Sequence, residues 1–324
     1  MVLERTRSPL KFMEMPTPVP KEQEVLVKVL ACGVCRTDLH VVDGELKNPH
    51  LPLILGHQIV GEVIRLGSKA SLFSIGDKIG IPWLASSCNH CPYCLQGDEN
   101  LCERALYRGY QINGGYAEYC TADERFSFPI PNDYSNIQAA PLLCAGLIGY
   151  RAYRKLSNKK RIGFYGFGSS AHLLIQLAIW EGKEVYTFSK KGDNHSIEFA
   201  QSLGATWSGN SFDIPPVLLD GAIIFAPVGE LIPQALKVTS KGAIIVSAGI
   251  HMSDIPSFPY HDLWGERVIT SVANLTRKDG EEFLKLAPQV PIHSNITTYP
   301  LEKANQALND LRHGKFQGSA VLIP

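Results

Sequence analysis

Four closely spaced cysteines place the strongest constraint on how this chain can fold. The run CNHCPYCLQGDENLC has a CxxCxxCx7C spacing and supplies Cys88, Cys91, Cys94 and Cys102. Four thiolates at this spacing can close a tetrahedron around one zinc ion, because the last cysteine returns from a short loop. A site with four protein ligands leaves no open coordination position. The run therefore predicts a structural zinc site that holds a lobe of the chain together.

Two other interpretations of this run are an iron–sulfur centre and a redox-active thiol pair. The common bacterial iron–sulfur run is spaced differently and has a proline after its last cysteine, where this chain has Glu103. Disulfides are a further possible use of the 8 cysteines. They are disfavoured because the N-terminus has no apolar secretory segment and because CxxC clustering favours metal binding.

A second stretch, CGVCRTDLH at residues 32–40, concentrates reactive side chains directly after an alternating apolar run. It supplies a thiol, a hydroxyl, a carboxylate and an imidazole, from Cys35, Thr37, Asp38 and His40. Such a concentration predicts that chemistry takes place here. Thr37 and Asp38 have the simpler alternative of capping a turn, and His40 that of an ordinary surface imidazole.

Two distant soft donors can join Cys35, namely His57 in LGHQIVGEV and Cys144 in PLLCAG. Two thiolates and one imidazole, with the fourth position left to water or substrate, are a donor set of catalytic zinc sites. Taken singly, each residue is more often buried packing or surface than a metal ligand. The separate cysteine run strengthens the metal interpretation.

The sequence pattern changes along the chain. Residues 1 to about 145 show short β-type runs separated by glycine and proline turns, at residues 25–30, 59–66 and 78–82. From Ile162 onward, apolar strands alternate with helices, which predicts a doubly wound parallel sheet. The predicted elements there are a helix at 171–181 and strands at 184–189, 221–225, 242–247 and 267–271. The C-terminal stretch predicts two amphipathic helices, in GEEFLKLA and LEKANQALNDLRHG, and a closing strand in SAVLIP.

A glycine turn opens the predicted 171–181 helix. Gly166, Gly168 and Ala171 fit a G-x-G-x-x-A pattern between an apolar strand and this helix. The pattern is typical of dinucleotide binding, because the helix N-terminus favours the pyrophosphate charge. An ordinary tight turn is the alternative.

The end of the second predicted strand bears on the choice of cofactor. NAD-binding folds usually have Asp or Glu at this point, but this chain has Ser189, Lys190 and Lys191. A missing carboxylate with two adjacent cations favours NADP(H) over NAD(H). The alternative is that the two lysines form a solvated surface turn.

The charge balance excludes several classes of partner. Lys and Arg total 31 and Asp and Glu total 31, so no net field attracts nucleic acid or anionic lipid. No uninterrupted apolar run is long enough to span a bilayer. We therefore expect a soluble, cytoplasmic protein whose partners are small molecules.

Taken together, these motifs resemble the zinc-containing alcohol dehydrogenases of the medium-chain dehydrogenase/reductase superfamily. The likeness runs nearly end to end and is carried by GVCRTDLH, GHQIVGEV, the cysteine run, PLLCAGLIGY and GFGSSA. It implies an α/β fold with a GroES-like β-rich catalytic domain at residues 1–146 and 275–324. A Rossmann cofactor-binding domain at residues 147–274 would interrupt it. The resemblance also implies a homodimer or homotetramer.

The resemblance assigns the metal ligands. It implies that Cys35, His57 and Cys144 bind a catalytic zinc. The structural zinc would be held by Cys88, Cys91, Cys94 and Cys102. Asp38 would orient the His57 ring, as outer carboxylates of zinc-bound imidazoles do.

Roles in proton transfer and binding follow from the same resemblance. Thr37 would take the alcohol proton and pass it through the cofactor ribose toward His40. Arg36 would contact the cofactor pyrophosphate, although it could instead be a solvated charge. Trp83 and Leu84 resemble positions that line the substrate cleft, where a bulky indole suits small primary alcohols. Plain core packing is the alternative for Trp83.

Three features depart from the family pattern. The usual GHE reads GHQ, so Gln58 replaces a carboxylate near the zinc. The glycine turn lacks a third glycine, and the segment at residues 211–220 is compact.

The leading hypothesis is a zinc- and NAD(P)-dependent alcohol dehydrogenase acting on primary or secondary alcohols and the corresponding carbonyl compounds. One alternative is an NADPH-dependent reductase of bulky cinnamyl- or benzyl-type aldehydes. Another is a cofactor- or metal-sensing protein without turnover, for which Gln58 and the altered turn are the motive.

Overall fold

The computed structural model describes residues 1–324 and divides into two compact units. The first unit comprises Met1–Leu147, Asn274–Gln289 and His293–Pro324. The second comprises Ile148–Ala273 with Val290–Ile292. The predicted domains have their boundaries after residues 146 and 274. No helix in the structure has the length and apolar character needed to cross a membrane.

The regular elements are strands and helices, most of them short. The strands are β1 (Val2–Leu3), β2 (Glu24–Val34), β3 (Leu53–Ile54), β4 (Ile59–Leu66), β5 (Lys78–Ile81), β6 (Leu84–Ser86), β7 (Leu106–Tyr107), β8 (Tyr119–Asp123), β9 (Phe128–Pro129), β10 (Arg161–Tyr165), β11 (Glu184–Ser189), β12 (Trp207–Asn210), β13 (Leu219–Ile224), β14 (Thr239–Ser247), β15 (Val268–Ser271), β16 (Ile296–Pro300) and β17 (Ser319–Ile323). The helices are α1 (Arg36–Val42), α2 (Pro92–Gln96), α3 (Asn136–Ala139), α4 (Ala145–Arg154), α5 (Ser169–Trp180), α6 (Asn194–Ser202), α7 (Leu231–Lys237), α8 (Tyr260–Leu263), α9 (Arg277–Leu286) and α10 (Ala304–Arg312).

The first unit is organised by strand β2. Its seven-stranded sheet has the order β16-β17-β2-β4-β5-β9, and β8 also pairs with β2. Because β2 has 11 residues and pairs with three other strands, most of its side chains are buried. Helix α1 begins two residues after β2 ends, so this sheet fixes the start of the helix.

The second unit is a doubly wound parallel sheet of six strands. Its order is β12-β11-β10-β13-β14-β15, and every pair in it is parallel. The order reverses direction between β10 and β13, and such a switch point is where open α/β sheets bind their ligands. The predicted fold class, a β-rich GroES-like domain with a Rossmann sheet, is confirmed.

Several predicted elements differ from the structure at their ends. The helix predicted to begin at Ala171 begins at Ser169, because Gly168 is its N-cap. Helix α1 was not predicted, since its 7 residues include two β-branched valines and lie inside the reactive stretch.

Removing a buried ring from the second unit should destabilise it strongly. Phe164 on β10 has no exposed surface. Its ring meets the Phe225 ring edge-on, with 5.6 Å between the ring centroids. We expect Phe164→Ala to lower the free energy of unfolding by about 3–5 kcal/mol, because the lost ring leaves a cavity. Urea denaturation measures this change. Phe212→Ala, at a ring that is 53% exposed, is the control and should cost less than about 0.5 kcal/mol; equal losses would contradict the assignment of the core.

Candidate active site

Three side chains from distant parts of the first unit converge on one point. The ligand atoms of Cys35, His57 and Cys144 all lie within 4.8 Å of one another. The Cys35 Sγ lies 3.1 Å from the His57 Nε2. Donors bound to one tetrahedral zinc at the usual Zn–S and Zn–N distances lie about 3.5 Å apart, so the donor set and its spacing fit a zinc ion.

Each of these donors is placed by a different local structure. Cys35 is the N-cap of α1 and has extended backbone angles. His57 lies between β3 and β4, and Cys144 follows a single 3-10 turn at Ala140–Leu143. His57 and Cys144 are buried, with exposures of 1% and 5%. The site therefore forms only when the sheet has assembled, since 109 positions separate Cys35 from Cys144.

Asp38 connects two of the three donors. Its Oδ2 accepts a hydrogen bond of 2.9 Å from the backbone N–H of Cys35. Its Oδ1 lies 3.2 Å from the His57 Nδ1 and accepts a bond of 3.3 Å from the Gly56 N–H. Asp38 thus completes the capping box of α1 and also holds the His57 ring with Nε2 toward Cys35.

The electrostatics of the cluster favour a thiolate at Cys35 and the protonated forms of Cys144 and His57. A hydrogen bond from the Cys144 thiol, opposed by burial and reinforced by the His57 charge, lowers the pKa of Cys35 well below its usual range. The same bond and burial raise the pKa of Cys144. Burial alone would lower the pKa of His57, but the charges of Cys35 and Asp38 outweigh burial and raise it. The three donors share protons over short distances, and a divalent ion can replace those protons.

The four remaining predicted ligands form a second cluster in the first unit. The Sγ atoms of Cys88, Cys91, Cys94 and Cys102 lie within 4.8 Å of one another. Cys94 Sγ lies 3.5 Å from Cys91 Sγ and 3.9 Å from Cys88 Sγ, close to the edge of about 3.8 Å of a zinc–thiolate tetrahedron. Backbone hydrogen bonds, led by that from His90, lower the pKa of Cys88 to about 5. All 8 cysteines of the chain are free thiols, so the structure contains no disulfide.

This cysteine lobe is fastened to the first unit by a buried carboxylate. Glu99, only 2% exposed, accepts hydrogen bonds from the Arg277 backbone N–H at 2.8 Å and from its Nε at 3.0 Å. The Arg277 guanidinium also lies over the Phe126 ring, 5.2 Å from its centroid. Sequence reasoning missed this pair, because 178 positions separate its members.

A glycine-rich loop packs against the backbone of Leu55 and Gly56, which directly precede His57. A Cβ added at Gly114 would meet the backbone oxygens of Gly56 and Leu55 at 2.0 and 2.3 Å. Gly56 has a φ of +94°, and a Cβ there would meet the Tyr116 ring at 2.4 Å. A glycine is therefore required at Gly114, in the GGY sequence of residues 114–116, and at Gly56. The sequence alone did not predict this close packing.

Trp83 lies beside the His57 ring, whereas Leu84 packs in the core of the cysteine lobe. The Trp83 indole meets the His57 ring edge-on, with 6.3 Å between the ring centroids. It also stacks on the Tyr107 ring, with 4.2 Å between the centroids. Its Nε1 is buried and has no hydrogen-bond partner. Leu84 is 1% exposed and packs in the core of the cysteine lobe with Cys102. Its predicted contact with substrate stays a prediction.

The other predicted residues of the opening stretch lie on α1. Arg36 is exposed and Thr37 half-buried, and the Thr37 backbone N–H donates to the Cys35 Sγ at 3.3 Å. His40 is buried, and its Nδ1 contacts the carboxylate of Glu45. Sequence reasoning did not single out Glu45.

The glycine turn of the second unit suits a dinucleotide. Gly166 has a φ of +89°, and a Cβ there would meet Ala226 at 3.0 Å. A Cβ at Gly168 would meet no atom within 4 Å, so the backbone at the N-terminus of α5 is open to a phosphate. Ala171 is fully buried, which permits close packing of the helix. The buried Oγ of Ser189, at the end of β11, has no hydrogen-bond partner; Lys190 and Lys191 follow it and are exposed.

Comparison with known proteins identifies relatives over the whole chain. Residues 21–132 match the model of the alcohol dehydrogenase GroES-like domain. The chain is 43% identical over 323 residues to a probable alcohol dehydrogenase, AdhA of Mycobacterium tuberculosis (strain CDC 1551 / Oshkosh), a match that covers 97% of this chain and 93% of that protein.

Solved structures give the same fold. The cinnamyl alcohol dehydrogenase SbCAD4 of Sorghum bicolor matches with a TM-score of 0.91 at 24% identity, over 99% of this chain and 96% of that one. The CAD of Helicobacter pylori, complexed with NADP(H), matches with a TM-score of 0.88 at 22% identity, over 99% and 96%.

Neutralising Asp38 should weaken metal binding. We expect Asp38→Asn to lower the zinc affinity of the Cys35 cluster about 10- to 100-fold, because the amide no longer supplies the charge that orients His57. Competition with a chromophoric chelator measures this affinity.

The matched control is Asp279→Asn. Asp279 completes the same kind of capping box with Thr276 at the start of α9, so this variant removes a capping carboxylate without touching the metal ligands. Equal zinc affinities in the two variants would show that Asp38 acts only as a helix cap.

Proposed function

Because the chain belongs to the zinc-containing alcohol dehydrogenases of the medium-chain dehydrogenase/reductase superfamily, we propose that it is a zinc-dependent, NAD(P)-linked enzyme. Its substrates would be small primary or secondary alcohols and the carbonyl compounds formed from them. The observation that carries this proposal is the convergence of Cys35, His57 and Cys144, with Asp38 behind the His57 ring. A set of three ligands leaves one coordination position for substrate.

The chain's own residues perform the remaining steps. A zinc ion held by the three donors would supply Lewis-acid activation of a substrate oxygen, and a nicotinamide cofactor would supply hydride transfer. Asp38 keeps the His57 ring in the ligating orientation. The Thr37 hydroxyl accepts the alcohol proton as it releases its own, and His40, on the same helix, carries the released proton onward to solvent.

The substrate class is inferred from Trp83. Its indole is held by stacking on Tyr107 and lies beside His57, so it forms a rigid wall next to the metal donors. A rigid aromatic wall admits a small alcohol more readily than a bulky aryl one. A panel of alcohols and aldehydes tests this proposal, because preference for benzylic substrates would favour the aromatic aldehyde reductase instead.

The cofactor is proposed to be NADP(H) in preference to NAD(H). The partnerless Oγ of Ser189 and the exposed Lys190 and Lys191 offer a donor and two cations where NAD-binding folds have a carboxylate. The NADP(H) complex of the Helicobacter pylori protein supports a nicotinamide cofactor on this fold. We also propose that each chain binds two zinc ions and that the enzyme assembles as a homodimer or homotetramer.

Removal of the Cys35 thiolate should abolish turnover. We expect Cys35→Ala to lower alcohol-dependent cofactor reduction about 1,000-fold or more, because Lewis-acid activation is worth several kcal/mol. The absorbance of the reduced cofactor measures turnover. The zinc content, measured by elemental analysis, should fall from two ions per chain to about one, because only the closed four-cysteine site remains. Chelation should have the same effect on activity.

Cys120→Ala is the matched control for this loss. Cys120 is a buried thiol of the same unit but lies on β8, outside both clusters. It should retain activity and both ions. A wild-type protein with two zinc ions and no activity on the panel with either cofactor would refute the proposed function.

Removing the two lysines after β11 should change cofactor preference. We expect Lys190→Ala/Lys191→Ala to raise the KM for NADPH about 5- to 10-fold, because the 2′-phosphate loses its cations, and to leave the KM for NADH nearly unchanged. Steady-state kinetics with both cofactors measures this. Lys237→Ala, at an exposed lysine of the same unit, is the control, and equal effects on both cofactors would contradict the proposal.

A further inference from the structure

The chain turns sharply where α1 ends, and this turn brings Glu45 back onto the helix. Asp43 is the C-cap, and Gly44 follows with a φ of +72°, a conformation that glycine adopts readily. The Glu45 N–H donates to the His40 carbonyl at 2.9 Å, and the Gly44 N–H to the Val41 carbonyl at 3.2 Å. These two bonds form a Schellman motif, which fixes the direction of the chain after the helix.

The motif places a carboxylate against a buried imidazole. The His40 Nδ1 contacts the Glu45 Oε2. The His40 side chain is 8% exposed, whereas that of Glu45 is 42% exposed. The pair therefore joins a buried ring, on the helix that carries Thr37, to an exposed carboxylate.

Charged groups from two other segments hold this turn in place. Arg312 on α10 forms two hydrogen bonds to the Asp43 carboxylate, at 2.6 and 2.8 Å. The Arg7 Nε donates to the Asp43 carbonyl at 3.3 Å. The hydrogen bonds to Asp43 raise the pKa of Arg312, and the Glu45 charge contributes to this shift. The charged groups around the His40–Glu45 pair are thus Asp43 on its own turn, Arg312 and Arg7.

We propose that Glu45 is a positioning residue of the proton path. Its carboxylate holds His40 in the tautomer that carries the proton on Nδ1, so that Nε2 is the basic atom of the ring. When alcohol oxidation delivers a proton to Nε2, the ring gains a positive charge. The Glu45 carboxylate and the C-terminal end of α1 stabilise that charge until Nε2 passes the proton to water. This inference rests on the proposed function for the source of the proton, but the pairing itself does not.

The first experiment is kinetic and uses the zinc-loaded full chain. We expect Glu45→Gln to lower kcat for alcohol oxidation about 10-fold near neutral pH, since base catalysis of this kind contributes at least that much. The deficit should shrink as pH rises, because hydroxide then removes the proton directly. Added imidazole buffer should restore much of the lost rate in Glu45→Gln and change the wild-type rate little.

Two variants control for structural damage. Glu45→Asp keeps the charge and should recover part of the rate. Glu22→Gln removes an exposed carboxylate that pairs with Lys69 in the same unit, and it should behave as wild type. The zinc content and melting temperature of Glu45→Gln should equal those of the wild type.

The second readout is independent of turnover. Imidazole ¹⁵N spectra, with the His40 signals identified by His40→Gln, should show the Nδ1–H tautomer in the wild type and a mixture of tautomers in Glu45→Gln. An unchanged tautomer, or an unchanged pH profile without buffer rescue in an active enzyme, would overturn the inference. If the wild type proves inactive, the proposed function and the catalytic role of Glu45 fail together, and the spectra still decide whether Glu45 orients His40.

Discussion

The candidate active site depends on a single buried carboxylate. Asp38 is 1% exposed, and a charge in such a place is tolerated only where hydrogen bonds and an opposite charge replace water. Here the replacements are the N–H groups of Cys35 and Gly56 and the ring of His57. The groups that compensate for the burial of the Asp38 charge are therefore also the groups that metal binding requires to be fixed in position. The same contacts therefore stabilise the start of α1 and fix the geometry of the metal donors.

The rest of the first unit delivers these groups to one place. Strand β2 is paired with β4, β8 and β17, so its end is rigid, and Cys35 follows this end directly. His57 lies two residues before β4, the immediate neighbour of β2. The Gly114 backbone lies so close to Leu55 and Gly56 that no side chain fits between them, and these two residues directly precede His57. A small shift of any of these parts would separate the donors, because packed interiors leave little room for relaxation.

How far the sequence predicts this structure depends on the range of the interactions. The cysteine run and the glycine turn were readable because their spacing is local, and so was the alternation that predicts the parallel sheet. Asp38 stood out locally as a reactive carboxylate, but its role toward His57 came only from the resemblance, since the two residues are 19 positions apart. The Glu99–Arg277 pair and the packing of Gly114 had no local signal at all. Such contacts form only in the assembled sheet. Sequence periodicity predicts the strands of that sheet but not which distant segments pack against one another.

The turn after α1 shows where local rules could have gone further. A Gly two residues past the last helical position predicts a Schellman motif, and the motif dictates that the residue after Gly44 lies over the last turn of the helix. The side chain there is Glu45 and the last turn carries His40. The pairing was therefore derivable from sequence once α1 was recognised as a helix. It was missed because the stretch was interpreted by its reactive side chains and not by its backbone. Chemical and conformational signals coincide in these residues, and only together do they locate the carboxylate beside the imidazole.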